Sequence, residues 1–259
     1  MRFCVKEQKR AAIANIFANL KQFNSYISCS ANDEGISLKG FDNSNICMYN
    51  CFIDKLWFDE YSSEIDIKYT MPSSILSKIM SMYAGEQYIV VETDAEENIN
   101  ISFRGDTSIC DKEFEIPLLS IDYDNVNVSN MESDVEFTIK SKDFHELVTQ
   151  LAIFNDTMTM YFDEEQIKIT TIGEHGSMTA KLEDYEYAIS EDTTIQQSFS
   201  LKHIYMMCNF WKLSETVRLD LGENRPLSFH YSFGKKDDDK DIDEAYIKIY
   251  LAPKIDDDD

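Results

Sequence analysis

The side chains in this sequence able to do chemistry are six cysteines, four histidines and a large excess of carboxylates. Cys47 and Cys51 are spaced C-x3-C, too wide for a C-x2-C knuckle, and no second pair follows. That pattern carries no zinc site. His175 and His203 have no evident partner that would make either a general base. Runs such as Asp163-Glu164-Glu165 arise by chance in a chain with 48 acidic residues, and nothing sets one of them apart as a metal-dependent nuclease site. Neither a phosphate-binding glycine loop nor H-E-x-x-H nor G-x-S-x-G occurs. No catalytic residue, metal ligand or cofactor is therefore assigned. Phe210-Trp211 reads as helix core ahead of a base-stacking platform, and Trp57-Phe58 allows either reading.

Net charge is -24, which by itself points away from nucleic acid. The cations are not evenly spread, however. Lys6, Lys9, Arg10 and Lys21 face only Glu7 across the first helical segment. Lys78 stands in a segment without acids, as do Lys202 and Lys212. Only the segment of Lys142, Asp143 and Glu146 runs the other way. Gathered on one face, the helices would attract phosphates without reading sequence. Solvated lysines on helix surfaces give the same pattern, so charge alone does not decide.

Those residues need elements to hold them. Ile13, Ile16, Phe17 and Leu20 follow i, i+3, i+4, i+7 spacing, so a helix is expected over Arg10 to Phe23. Further helices are expected over Ser73 to Tyr83, Lys142 to Phe154 and Leu201 to Trp211. Short alternating strands separate them, among them Ile46 to Ile53, Glu64 to Tyr69, Lys112 to Leu118 and Gly176 to Leu182. The order of elements repeats: ANDEGISLKGFDNSN parallels YFDEEQIKITTIGEHGS, and IKYTMPSSILSKIMSMY parallels QSFSLKHIYMMCNFWKL. An α+β chain of two similar domains is expected, 1–118 and 134–259, joined by an acidic, Asn-rich connector at 119–133. The start, MRFCVKEQKR, has no apolar signal core, and no stretch approaches the ~18 apolar residues of a membrane span. A reducing, intracellular protein with buried free thiols and no membrane partner is expected.

The ending LAPKI followed by acids, together with ANDEGISLKGFDNSN, SKIMSMYAG and LLSIDYDNVNVSN, resembles the sliding-clamp family of proliferating cell nuclear antigen along nearly the whole chain. The resemblance implies a DNA clamp fold, with β-sheets outside and paired helices lining a homotrimeric ring around duplex DNA. It implies a non-catalytic polymerase processivity factor acting in the nucleus, or in a viral replication compartment. Lys21, Lys78, Lys202 and Lys212 would face DNA, joined by Lys9 and Arg10. Polymerase, clamp loader, flap nuclease and ligase would dock short peptides on Phe41, Ile46, Val126, Val128, Pro226, Tyr250, Leu251, Ala252 and Pro253. Copies would join through a strand near Ser108 to Pro117 and one near His175 to Glu183. Several residues depart from the family pattern. Glu146 and Thr149 stand where basic residues are usual, VNVSN replaces a Gly-Ile-Pro run, and Glu164 replaces a modifiable lysine. The loop GKKDDDKDIDE resembles an insertion. A heterotrimeric checkpoint subunit, a monomeric or dimeric viral processivity factor and an acidic nuclease are the alternatives.

Overall fold

The structure, a computed structural model, describes residues 1–105, 110–121, 133–182, 185, 187–234, 236–237 and 242–254. The first strands are β1 (Arg2–Val5), β2 (Tyr26–Ala31), β3 (Gly35–Phe41), β4 (Cys47–Asp54), β5 (Glu60–Ser62) and β6 (Ile67–Pro72). Next come β7 (Tyr88–Thr93), β8 (Asn98–Arg104), β9 (Lys112–Pro117), β10 (Val135–Lys140), β11 (Thr157–Phe162), β12 (Ile167–Gly173) and β13 (Gly176–Leu182). The last are β14 (Tyr187–Ile189), β15 (Ile195–Ser200), β16 (Thr216–Leu221), β17 (Leu227–Ser232), β18 (Lys236–Asp237), β19 (Ile242–Asp243) and β20 (Ala245–Leu251). The helices are α1 (Glu7–Leu20), α2 (Ser73–Met80), α3 (Ser141–Leu151) and α4 (Leu201–Cys208), with 3₁₀ turns at Lys55–Trp57 and Asn209–Lys212.

The chain packs as two units. Unit 1 comprises Met1–Asn43, Tyr49–Val128 and Ser232–Ile247; unit 2 comprises Ser44–Met48, Ser129–Tyr231 and Lys248–Asp259. In unit 1, strands pair in the order β5-β1-β7-β8-β9 and, separately, β4-β3-β2-β6. In unit 2 the orders are β13-β12-β11-β15 and β14-β10-β16-β17. Alternation sets which face is buried. In β10, Val135, Phe137 and Ile139 are buried while Glu136, Thr138 and Lys140 are exposed. Each unit carries one helix pair, α1 on α2 and α3 on α4.

The internal repeat is visible in how the helices begin. Pro72 before α2 and Ser200 before α4 have nearly the same backbone, φ -70°, ψ 117° and φ -70°, ψ 116°. No side chain caps either helix. Instead the first helical amide bonds to the carbonyl just before a neighbouring strand: Ser73 to Ser25 (3.0 Å) and Leu201 to Asp156 (2.8 Å). Ser141 at the start of α3 does the same with Glu215 (2.9 Å). Donors that a helix start leaves unpaired are thus satisfied by the sheet, which fixes where each helix sits.

Several boundaries differ from the sequence expectation. Helix α1 begins earlier, at Glu7, and α4 stops at Cys208, where a 3₁₀ turn takes over. The i, i+3 spacing of a 3₁₀ turn mimics helical periodicity, so the sequence pattern runs on through Trp211. Strand β6 lies at Ile67–Pro72, later than expected; it is an edge strand, where a proline is tolerated. Strands β1, β5, β14 and β15 carry too few alternating residues to stand out.

Candidate nucleic-acid interface and partner-binding site

In unit 1, α1 buries Ile13, Ile16, Phe17 and Leu20, and α2 buries Leu76, Ile79 and Met80. Lys21, capping the end of α1, and Lys78 on α2 project from this pair and are exposed. Neither has a carboxylate within ion-pair reach among the described residues. Lys9 and Arg10 differ. Lys9 is half-buried, 3.4 Å from Asp59 and 5.8 Å from the centre of the Trp57 ring. The Arg10 guanidinium donates to the carbonyls of Gly85 (2.9 Å) and Gln87 (2.5 Å), and through Nε to Glu7 (2.9 Å). Both cations hold α1 to its own unit, a use that helix periodicity and charge counting could not reveal.

In unit 2, Lys202 on α4 and Lys212 on the following turn are exposed, with Lys212 Nζ 5.4 Å from the Trp211 ring centre. Helix α3 adds no free positive charge: Lys142 pairs with Glu146 at 3.8 Å, and the Thr149 hydroxyl donates to the His145 carbonyl at 2.8 Å. The two α3 positions that depart from the resemblance, Glu146 and Thr149, thus have partners within the helix.

Of the residues expected to receive peptides, Ile46, Pro226, Tyr250, Leu251, Ala252 and Pro253 belong to unit 2. Ile46 is 42% exposed and Ala252 is exposed, while Pro226, Tyr250 and Pro253 are half-buried. The Ala252 amide donates to the Ile46 carbonyl at 3.0 Å, which places the two side by side. Leu251 is 0% exposed, so its side chain is core and supports this surface from beneath. Its neighbours in β20 alternate, and position 251 falls on the inward phase. Phe41 belongs to unit 1, where it is half-buried and its carbonyl accepts from Asn24. Val126 and Val128 lie outside the described residues.

Pro226 and Tyr250 also border a cavity of about 240 Å³ that sequence reading missed. Its walls include Glu136, Arg218, Asp220, Arg225, Ser228 and Lys248. Arg218 Nε lies 3.0 Å from Asp220 Oδ1, and the Ser228 hydroxyl donates to Asp220 at 2.9 Å. Burial pushes the Asp220 carboxyl up from its ordinary range, against the opposing pull of Arg218 and Ser228. The only sequence signal was Arg218 and Asp220 two apart on one strand, facing the same side.

The thiols show no nucleophile. Burial pushes Cys29 up to about 12 and raises Cys4, Cys51 and Cys208, so these thiols stay protonated. Cys110 is exposed, an exception to the expectation of buried thiols throughout. Among the described residues no three His, Cys, Asp or Glu side chains are grouped to hold a metal ion, and no described helix is long and apolar enough to cross a membrane.

Two open sheet edges remain among the described residues. Among the described residues β9 in unit 1 and β13 in unit 2 each pair on one side only. The other edges are short or covered. Strands β5 and β14 have three residues each, the Lys254 amide bonds to Ser198 on β15 (2.8 Å), and the Leu119 amide bonds to Thr70 on β6 (2.8 Å). Gly173 lets the end of β12 approach Phe154, because a Cβ there would lie 1.9 Å from the Phe154 carbonyl oxygen.

Residues 3–127 match the family model for the N-terminal domain of proliferating cell nuclear antigen, and residues 127–254 match the model for its C-terminal domain. The chain is 24% identical over 265 residues to "Proliferating cell nuclear antigen 1" of Plasmodium falciparum, covering 98% of this chain and 97% of that protein. It is 26% identical to the "Proliferating cell nuclear antigen" of Chaetomium thermophilum, covering 88% of each chain. It is 24% identical to the "DNA polymerase sliding clamp" of Methanobrevibacter smithii, covering 90% of this chain and 89% of that one. The crystal structure of the Entamoeba histolytica proliferating cell nuclear antigen superposes with a TM-score of 0.85 at 20% identity, over 98% of this chain and 99% of that one.

Proposed function

This chain belongs to the proliferating cell nuclear antigen family, and from that premise we propose that it is a homotrimeric sliding clamp that encircles duplex DNA. It is a scaffold and not an enzyme. It acts as a processivity factor for DNA polymerase, and in a eukaryotic cell its place is the nucleus.

The observation that carries the trimer is the pair of open edges. Strands β9 and β13 are different surfaces, so joining them head to tail makes a heterologous contact, the kind that builds a ring when the rotation between copies closes. Their exposed residues suit each other. On β9, Glu113, Glu115 and Pro117 are exposed, and on β13 Ser177, Thr179 and Lys181. Half-buried Phe114 on one and Met178, Ala180 and Leu182 on the other supply apolar contact.

Lys21, Lys78, Lys202 and Lys212 supply the DNA-facing charge, a thin lining suited to sliding. Each lysine near phosphate releases about one counterion, so retention comes from closure more than from grip. Ile46, Ala252, Pro253, Pro226 and Tyr250 of unit 2 receive peptides from polymerase, clamp loader, flap nuclease and ligase. Apolar side chains held at the surface beside half-buried rings are what aromatic and aliphatic anchors require.

Retention on DNA tests the function. Protein placed on nicked circular duplex by a clamp loader should stay bound in high salt and be released when the circle is cut. Equal loss from circular and linear DNA would overturn the reading.

A further inference from the structure

We propose that Tyr205, His145 and Trp211 form a stacking platform for an unpaired base, giving the helix side of unit 2 affinity for single-stranded DNA. The three rings are tiered across α3, α4 and the 3₁₀ turn that follows α4. The His145 ring centre lies 5.5 Å from Tyr205 with a tilt of 39°, and 5.9 Å from Trp211 with a tilt of 38°. Tyr205 is the outer ring, 40% exposed, and no other described aromatic residue is exposed. His145 and Trp211 are half-buried, His145 packing against Tyr205 and Trp211 against His145.

The surrounding charge favours a phosphate chain. Lys202 stands one turn before Tyr205 on the same helix face, and Lys212 flanks Trp211. Neither lysine has a carboxylate within ion-pair reach among the described residues. The nearby acids on α3 are Asp143, in its first turn, and Glu146, which pairs with Lys142. Rings with lysines beside them that have no carboxylate partner among the described residues are how proteins hold single strands without reading sequence, by stacking and phosphate contact together. Bases in a duplex already stack on each other and offer such a ring no free face, so the site distinguishes an unpaired strand from a paired one. The site goes beyond the clamp reading and does not require a closed ring.

The test uses the protein's own fluorescence. The chain has only two tryptophans, and Trp57 is 5% exposed, so a change in emission on adding DNA reports Trp211. A short oligothymidylate should quench emission more strongly than duplex of equal length. Tyr205→Leu, which keeps bulk and removes the ring, should weaken binding about tenfold, and Tyr205→Phe should retain it. Replacing Lys202 and Lys212 with Ala should flatten the salt dependence by about 1.4 in log-log slope. Equal binding of duplex and oligothymidylate, or a Tyr205→Leu variant that binds like the parent, would overturn the proposal. So would emission that answers to a client peptide and not to DNA. A monomeric protein that binds oligothymidylate would sink the ring and leave the platform standing; a trimer blind to it would sink the platform alone.

Discussion

The Ala252 amide donates to the Ile46 carbonyl at 3.0 Å, tying the segment after β20 to the segment before β4 within unit 2. The bond turns two remote stretches into one small surface. Beneath it Leu251 is wholly buried, while Ile46 stands 42% exposed. Adjacent residues in one expected pocket therefore have opposite duties.

Substitution should separate those duties. Ile46→Glu should weaken binding of a client peptide by about tenfold or more, with the thermal midpoint unchanged. Leu251→Ala should cost about 2–5 kcal/mol of stability through a cavity in the core. Fluorescence polarisation with a labelled peptide and thermal denaturation measure the two effects.

The cations should divide likewise. Replacing Lys21, Lys78 and Lys202 with Ala should shorten retention on circular DNA and leave peptide binding intact. Arg10→Ala should instead lower stability by about 1–3 kcal/mol, since it deprives the Gly85 and Gln87 carbonyls of their donor. Denaturant midpoints would show the second effect, and salt-dependent DNA retention the first.

At the subunit contact, Lys181→Glu on β13 should raise the concentration at which the trimer dissociates, because it brings a like charge against the exposed Glu113 and Glu115 of β9. Glu115→Lys in the same chain should restore assembly. Sedimentation across a dilution series would follow both.

Acid stability should depend on Asp163, in the turn between β11 and β12. The Tyr161 hydroxyl (2.8 Å), the Glu165 and Gln166 amides (2.8 Å each) and the Gln166 side chain (3.2 Å) all donate to its carboxylate. They hold it down at about 2, the Tyr161 bond contributing most. A carboxylate depressed on folding stabilises the protein above its unfolded value, near 3.8, and this stability is lost as pH falls towards 2. Asp163→Asn should remove that part of the acid slope in denaturant midpoints measured from pH 4 downward.

Much of the fold was legible because periodicity reports burial. Ile13, Ile16, Phe17 and Leu20 marked α1 and are all buried, and the paired segments around Gly35 and Gln166 became β3 and β12. Partnering was not legible. Lys9 and Lys78 look alike in sequence, yet one leans on Asp59 and Trp57 while the other stands clear. Leu251 was legible too, since Ala245, Ile247, Ile249 and Leu251 share one phase of AYIKIYL, and it is that inward phase which takes Leu251 out of the expected pocket. Trp211 read as core because a helical pattern hides the change to a 3₁₀ turn, which swings the ring alongside His145.

The central claim is that copies of this chain close into a ring of three. Light scattering from micromolar to nanomolar protein tests it most directly. A stable mass near three times 30.1 kDa is the predicted result. A mass of 30.1 kDa at every concentration would contradict it.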